Sequence, residues 1–270
     1  MSFGMQIDDY PAGILTLVML AISTGFWIDL IRRGLRDNWS WPLQPRRDVP
    51  WKPLEAVAFI VIVLLCISGL IQQAFHLPDT PPFTVRHLQV HGFALMLQML
   101  LTPFVLSLWC SCHWSDFGLR RTGIVEDIRF ATWGFLIAQL PVSLLAFPIQ
   151  ALRKSHPHPM LEFLRESASD PYALVWIAIS VVVLAPLIEE LLFRVLLQGS
   201  LERDTPPVVA IVLTAAAFVS THSAVDWAPL FPLALVLGYV YYRRHSYLSV
   251  VVLHALFNAY NLLCALWDLK

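Results

Sequence analysis

Eight apolar runs divide this chain, at about residues 12–31, 54–75, 88–111, 128–150, 172–197, 207–223, 228–242 and 247–267. A hydrocarbon core about 30 Å thick takes roughly 20 helical residues to cross, so runs of this length leave a chain little choice but to span it. Inside lipid every backbone polar group needs an internal partner, and a helix supplies those partners within one segment. Composition agrees, since 57% hydrophobic residues against 14% charged does not describe a soluble globule. The expectation is therefore an all-α, polytopic membrane protein with about eight transmembrane helices. The net charge of −1 gives no basic footprint for nucleic acid. Membrane lipids and membrane-bound or lipidated peptide substrates are the expected partners.

Charges gather between the runs. Arg32, Arg33 and Arg36 follow the first, and residues 32–53 also hold Trp39, Trp41, Trp51 and several prolines, the composition of an interfacial segment. Counted on alternate sides, with Arg194 grouped with the loop that follows it, one side holds 13 Lys and Arg and the other five. By the positive-inside rule the 13-residue side is cytoplasmic and both termini lie outside, in what would be the plasma membrane. Asp8 and Asp9 stand where a signal peptide would be basic, so no cleaved signal is expected. Cys66, Cys110, Cys112 and Cys264 lie in or beside apolar runs without CxxC spacing and read as small buried hydrophobes. Cys110 and Cys112, two apart at a helix end, leave a redox or metal role open.

The chain divides into a scaffold of about four helices, residues 1–170, and a chemically richer core, residues 171–270, within one integrated membrane domain. The connection at 151–171 mixes charges with Leu161, Phe163 and Leu164, which suits a short interfacial helix. Earlier spans carry Asp29, Glu55, His91, Gln98 and Gln139, mostly near ends where side chains can reach the interface. His87, His113, His156 and His158 are dispersed near the predicted interfaces, and His245 in the Arg243–Arg244–His245 loop reads as solvated.

The core is organised around Glu189-Glu190-Leu191-Leu192-Phe193-Arg194. A charge at the centre of a membrane helix costs about 2.5–3.5 kcal/mol on insertion scales, so such residues face a protein interior or a wet cavity. Glu190 and Arg194 are i,i+4 and share a face, whereas Glu189 is turned about 100° away. One carboxylate is thus paired and its neighbour left for partners on other helices. Phe218 with His222, and His254 with Asn258, repeat the i,i+4 spacing on the sixth and eighth runs. A carboxylate held away from bulk water is a stronger general base than a solvated one, and His222 can orient or share the proton of an attacking water. His254 and Asn258 can donate hydrogen bonds to a developing oxyanion. Phe218 reads as a packing residue shaping the cavity.

Two other chemistries use the same atoms. Glu189, His222 and His254 are also a catalytic zinc set, although no HExxH is present, so a metal stays open. Ser220, Thr221 and Ser223 flank His222, but neighbours on one helix point in different directions, which disfavours a serine nucleophile.

The motifs EExxxR at Glu189–Arg194, FxxxH at Phe218–His222 and HxxxN at His254–Asn258 together resemble those of the CPBP family. That family includes CaaX prenyl endopeptidases of the Ras-converting type and bacteriocin-processing enzymes. The resemblance covers about residues 172–266 and extends to the approach from Gly238 and Tyr239 through Arg243 to His254. It implies an intramembrane endopeptidase acting on a membrane-associated, prenylated or otherwise lipid-anchored substrate. Glu189 and His222 would activate water, His254 and Asn258 would form the oxyanion site, and Glu190 with Arg194 would support the first motif. The implied fold is an eight-helix bundle around a cavity open to the cytosol. A noncatalytic scaffold or self-immunity protein of the same fold is the alternative, and a transporter would show the internal repeat that this chain lacks.

Depth gives one tension. If the fifth span leaves the bilayer near Gln198, Glu189 lies about 13 Å from that surface and His254 about 12 Å, but His222 would lie about 24 Å deep. A helix starting at Pro206–Pro207 must begin outside the hydrocarbon, or tilt, to bring His222 level. Pro186, one turn before Glu189, is expected to kink the span and open its backbone.

Overall fold

The structure is a computed structural model that describes residues 11–35, 43–45, 48–62, 84–155 and 159–267. Among these residues the regular elements are all helical. They are α1 (Pro11–Gly34), α2 (Pro53–Ile62), α3 (Val85–Trp109), α4 (Ile124–Ser155), α5 (Pro159–Glu166), α6 (Pro171–Asp204), α7 (Pro207–Ser220), α8 (Trp227–Arg244) and α9 (Tyr247–Trp267). Six of them, α1, α3, α4, α6, α8 and α9, are long and apolar enough to cross a membrane, while α2 and α7 are apolar but shorter. The chain is an integral multi-pass membrane protein. The second predicted span runs on beyond Ile62, outside the described residues, as do Trp39, Trp41, Cys66, His156 and His158.

Local chemistry sets the helix starts. Thr84 caps α3 through the His87 amide, Asp170 caps α6 through the Tyr172 amide at 2.9 Å, and Pro171 and Pro207 occupy first turns where no donor is needed. α5 forms where the charged connection was expected to hold an interfacial helix, and its Phe163 and Leu164 bury against Leu88, Ala173 and Ile177. Helix α6 is continuous from Pro171 to Asp204, about 51 Å of helix, with two π-helical stretches at Ile179–Leu184 and Leu191–Gln198. Its continuation past Gln198 removes the depth tension. Glu189 lies fifteen residues before Asp204 and His222 fifteen after Pro207, so both stand about 22 Å from the α6–α7 turn.

Helix α4 packs against α1, α8 and α9, which ties the N-terminal helices to the C-terminal ones. Gly134 allows the approach, because a Cβ there would clash with Leu253 Cδ1 and meet Val240 Cγ2 at 3.1 Å. The core between these helices is apolar, with Leu233, Leu237, Val240, Val250, Leu253 and Phe257 buried. Prolines inside the membrane helices release carbonyls, and side chains from other helices take them up. Trp27 Nε1 donates to the Ile137 carbonyl at 2.9 Å, the group that Pro141, four residues on, has no N–H to reach.

The opposite end of the bundle from α5 is closed by polar contacts. Asp127 accepts from Arg244 Nη2 at 2.8 Å, Arg120 Nη2 at 3.0 Å and Ser246 Oγ at 2.7 Å. His245, at positive φ, ends α8, and its Nε2 lies 3.3 Å from Glu202 Oε2. It is therefore part-buried in a contact instead of solvated. Residues 48–51 also depart from the interfacial reading. Val49 and Trp51 are buried, Trp51 Nε1 donates to the Leu196 carbonyl at 3.0 Å, and Arg203 Nη1 donates to the Val49 carbonyl at 3.0 Å. The tryptophan was read as an interface anchor, but the π-helical stretch of α6 offers it a carbonyl inside the protein. Gln98 and Gln139 are likewise buried, not reaching for the interface.

Candidate active site

Glu189 and Glu190 project from the six-residue α-helical stretch of α6 between its two π-helical stretches. They part as helical phase requires. Glu190 is fully buried and lies 3.4 Å from Arg194 Nε, itself fully buried. Arg194 also donates from Nη2 to the Ala234 carbonyl at 3.4 Å and stacks its guanidinium 4.8 Å from the Phe218 ring centroid. Glu189 keeps 28% of its side chain exposed and faces the cavity.

His254 joins the two carboxylates. Its Nδ1 is 2.7 Å from Glu190 Oε1, and its Nε2 is 3.8 Å from Glu189 Oε2. An ionised carboxylate only accepts, so Nδ1 donates and Nε2 is the nitrogen presented to Glu189. Glu190 was expected to serve its own helix through Arg194; it also orients an imidazole on α9. Phe218 packs edge-on against Phe193 and His254 and lies 4.8 Å, centroid to centroid, from His222.

His222 departs from its predicted place on a helix. Helix α7 ends at Ser220 with Thr221 as its C-cap, and His222 follows in the turn, its amide still bonded to the Val219 carbonyl at 3.0 Å. Its Nδ1 lies 3.0 Å from the Phe218 carbonyl, so Nδ1 donates and Nε2 is left as an acceptor. Trp227 Nε1 holds the His222 carbonyl at 2.9 Å. The hydroxyls of Ser220 and Thr221 bond back to the Ala217 and Phe218 carbonyls.

Asn258 has a structural partner. Its Nδ2 donates to the Val181 carbonyl at 2.8 Å. In the π-helical stretch, where Ala185 N bonds to the Ser180 carbonyl five residues back, the next amide would serve Val181. That next residue is Pro186, which has no N–H. Asn258 therefore supplies from α9 the hydrogen bond that Pro186 cannot make, and retains one further N–H.

Glu189, Phe218, His222, His254 and Asn258 all line one cavity of about 660 Å³. Its remaining wall contains His87 and His91 of α3, residues assigned no role from the sequence although their i,i+4 spacing puts them on one face. The lining reaches one end of the bundle, here called the mouth, at Met160 and Leu161 of α5, His87 at the start of α3 and Asp226 between α7 and α8. These residues lie at the opposite end of the bundle from Arg203, Arg243 and Arg244. A cytosolic arginine-rich end and a cavity open to the cytosol therefore cannot both hold. Arg194, moreover, is buried beside the site and belongs to no loop. Among the described residues no group of three or more His, Cys, Asp or Glu has the geometry to hold a metal.

Residues 171–260 match the family described as Type II CAAX prenyl endopeptidase Rce1-like. The match spans 90 of the 270 residues. The matched stretch contains Glu189, Glu190, Arg194, Phe218, His222, His254 and Asn258, whereas His87, His91, Met160 and Leu161 complete the cavity from outside it. No curated protein and no solved structure matches the chain.

Proposed function

We propose that the protein is an intramembrane endopeptidase that hydrolyses a peptide bond of a membrane-associated protein or peptide, lipid-modified substrates included. The observation that carries this reading is the meeting of Glu189, His222, His254 and Asn258 on one cavity within the Rce1-like region.

Water is the nucleophile. Glu189 accepts its proton while the Nε2 lone pair of His222 orients it. The charges of Glu189, Glu190 and Arg194 sum to −1, so one proton shared by Glu189 and His254 Nε2 makes the buried cluster neutral. With Glu190 holding Nδ1, His254 can carry that proton as an imidazolium and donate it from Nε2, as the carboxylate-backed histidine of a hydrolytic triad does. The water oxygen bonds to the carbonyl carbon, and the developing oxyanion is met by His254 and the second N–H of Asn258. The C–N bond then breaks, and the amine leaves with the proton taken from water.

The test is cleavage of a bilayer-anchored peptide by the reconstituted protein, with products identified by mass spectrometry. Glu189→Gln is expected to lower kcat by about 10²–10⁴-fold, the range of a positioned general base. Cleavage at the parental rate by that variant would overturn the mechanism.

A further inference from the structure

The hydrolytic reading leaves one wall of the cavity unused. His87 and His91 stand four residues apart on α3, so their rings share a face, and both line the cavity opposite the residues from α6 and α9. His87 is held in place, with Nδ1 2.6 Å from Thr84 Oγ1. That hydroxyl accepts the His87 amide as the cap of α3 and can also give its own proton to Nδ1, the arrangement that leaves the imidazole proton on Nε2. Nε2 is buried and has no hydrogen-bond partner. A buried polar nitrogen without a partner is costly and rare, and here it is fixed on the wall of a cavity large enough for a peptide segment.

We propose that His87 and His91 form a carboxylate-binding subsite, so that the substrate docks an anionic carboxylate on α3 while its scissile bond lies against Glu189 and His254. This deepens the endopeptidase reading and rests on it. Two imidazoles one turn apart, each able to present a ring N–H, match an acceptor with two oxygens better than a single amide carbonyl. The neighbouring lining, Leu88, Val90, Leu95 and Met160, offers an anion no competing partner. A carboxylate in such surroundings binds only where donors meet it, and there it bonds more strongly than a neutral acceptor. Arg86, exposed at the same helix start, offsets the negative charge that Asp226 brings to the lining. The carboxylate can belong to a chain terminus or to an acidic side chain.

The experiment uses the full-length Glu189→Gln protein, which separates binding from cleavage. Three N-lauroyl tetrapeptides serve as probes in calorimetric titrations: one with a free terminal carboxylate, one with a terminal amide, and one amide-ended with aspartate as its last residue. One of the two carboxylate probes is expected to bind on the order of tenfold more tightly than the plain amide. Which of them does so identifies a chain end or a side chain as the source. The advantage disappears in the additional variant His87→Leu, and should that variant fail to fold, His91→Leu carries the same test. Equal binding of all three probes, binding of none, or an advantage that survives the leucine substitution overturns the subsite. Loss of cleavage in the otherwise unaltered protein bears on the endopeptidase reading alone, so the two can fail separately.

Discussion

His254 Nδ1 lies 2.7 Å from Glu190 Oε1, so the carboxylate that neutralises Arg194 on α6 also fixes the imidazole of α9. The adjacent glutamates thus do different work. Glu190 is fully buried with both its partners in place, and Glu189 faces the cavity.

Substitutions at the two positions should separate stability from turnover. Glu190→Ala leaves Arg194 buried without its counter-charge and is expected to cost about 3–5 kcal/mol, the usual penalty for breaking a buried pair from one side. Glu189→Gln removes a charge that is partly solvated and should leave the unfolding midpoint in detergent unchanged while lowering kcat by about 10²–10⁴-fold. Thermal unfolding of both variants in one detergent, beside the peptide assay, checks the division.

Asn258 and Pro186 should be energetically coupled. Asn258→Ala strands the Val181 carbonyl and is expected to destabilise by about 1–3 kcal/mol. Pro186→Ala restores an amide that can reach that carbonyl, so the same asparagine substitution should cost less in the alanine background. A double-mutant cycle on unfolding free energies measures the coupling. Turnover should remain low in the double variant, because the second N–H of Asn258 is still lost to the oxyanion.

Gly118→Ala should destabilise the end of the bundle opposite the mouth. Gly118 has φ 70°, and an added Cβ would sit 2.7 Å from the Tyr247 backbone nitrogen, whose amide bonds to the Gly118 carbonyl at 3.1 Å. The strained backbone and the clash together should cost about 1–3 kcal/mol, read as a lowered unfolding midpoint.

Membrane orientation separates the arginine bias from the family resemblance. In a background without native cysteines, Ala168→Cys marks the mouth and Asp204→Cys the opposite end. The arginine bias predicts that an impermeant maleimide applied outside intact cells labels position 168 and spares 204. The reverse pattern would assign the mouth to the cytosol, where the resemblance puts it.

Much of this was legible from residue spacing. Apolar run length predicted the membrane helices, and i,i+4 phase separated Glu190 from Glu189, because both depend on sequence distance along one element. What could not be read depends on contacts across elements. The tie from Glu190 to His254 joins α6 to α9, and the burial of Trp51 depends on a carbonyl near the π-helical stretch of α6. The end of that helix was placed too early because Gly199–Asp204 is polar, yet it stays helical against its neighbours. His87 and His91 carried a signal in their spacing, but α3 lies far from the C-terminal motifs in sequence and only folding brings it to the cavity.

The hydrogen bond from Asn258 to Val181 bears on the order in which the protein can be completed during synthesis. Helix α6 emerges from the ribosome well before α9, and until α9 arrives the Val181 carbonyl opposite Pro186 has no donor from within its own helix. A chain halted before residue 247 would hold that span with an unsatisfied group at membrane depth, a state favoured to stay in contact with the insertion machinery or to be degraded. Helix α9, made after α6, is the one that brings His254, and the residue that closes the backbone defect sits one turn after it. Assembly of the reactive centre and completion of its supporting helix are thereby tied to one docking event, so partly synthesised chains carry no exposed hydrolytic site.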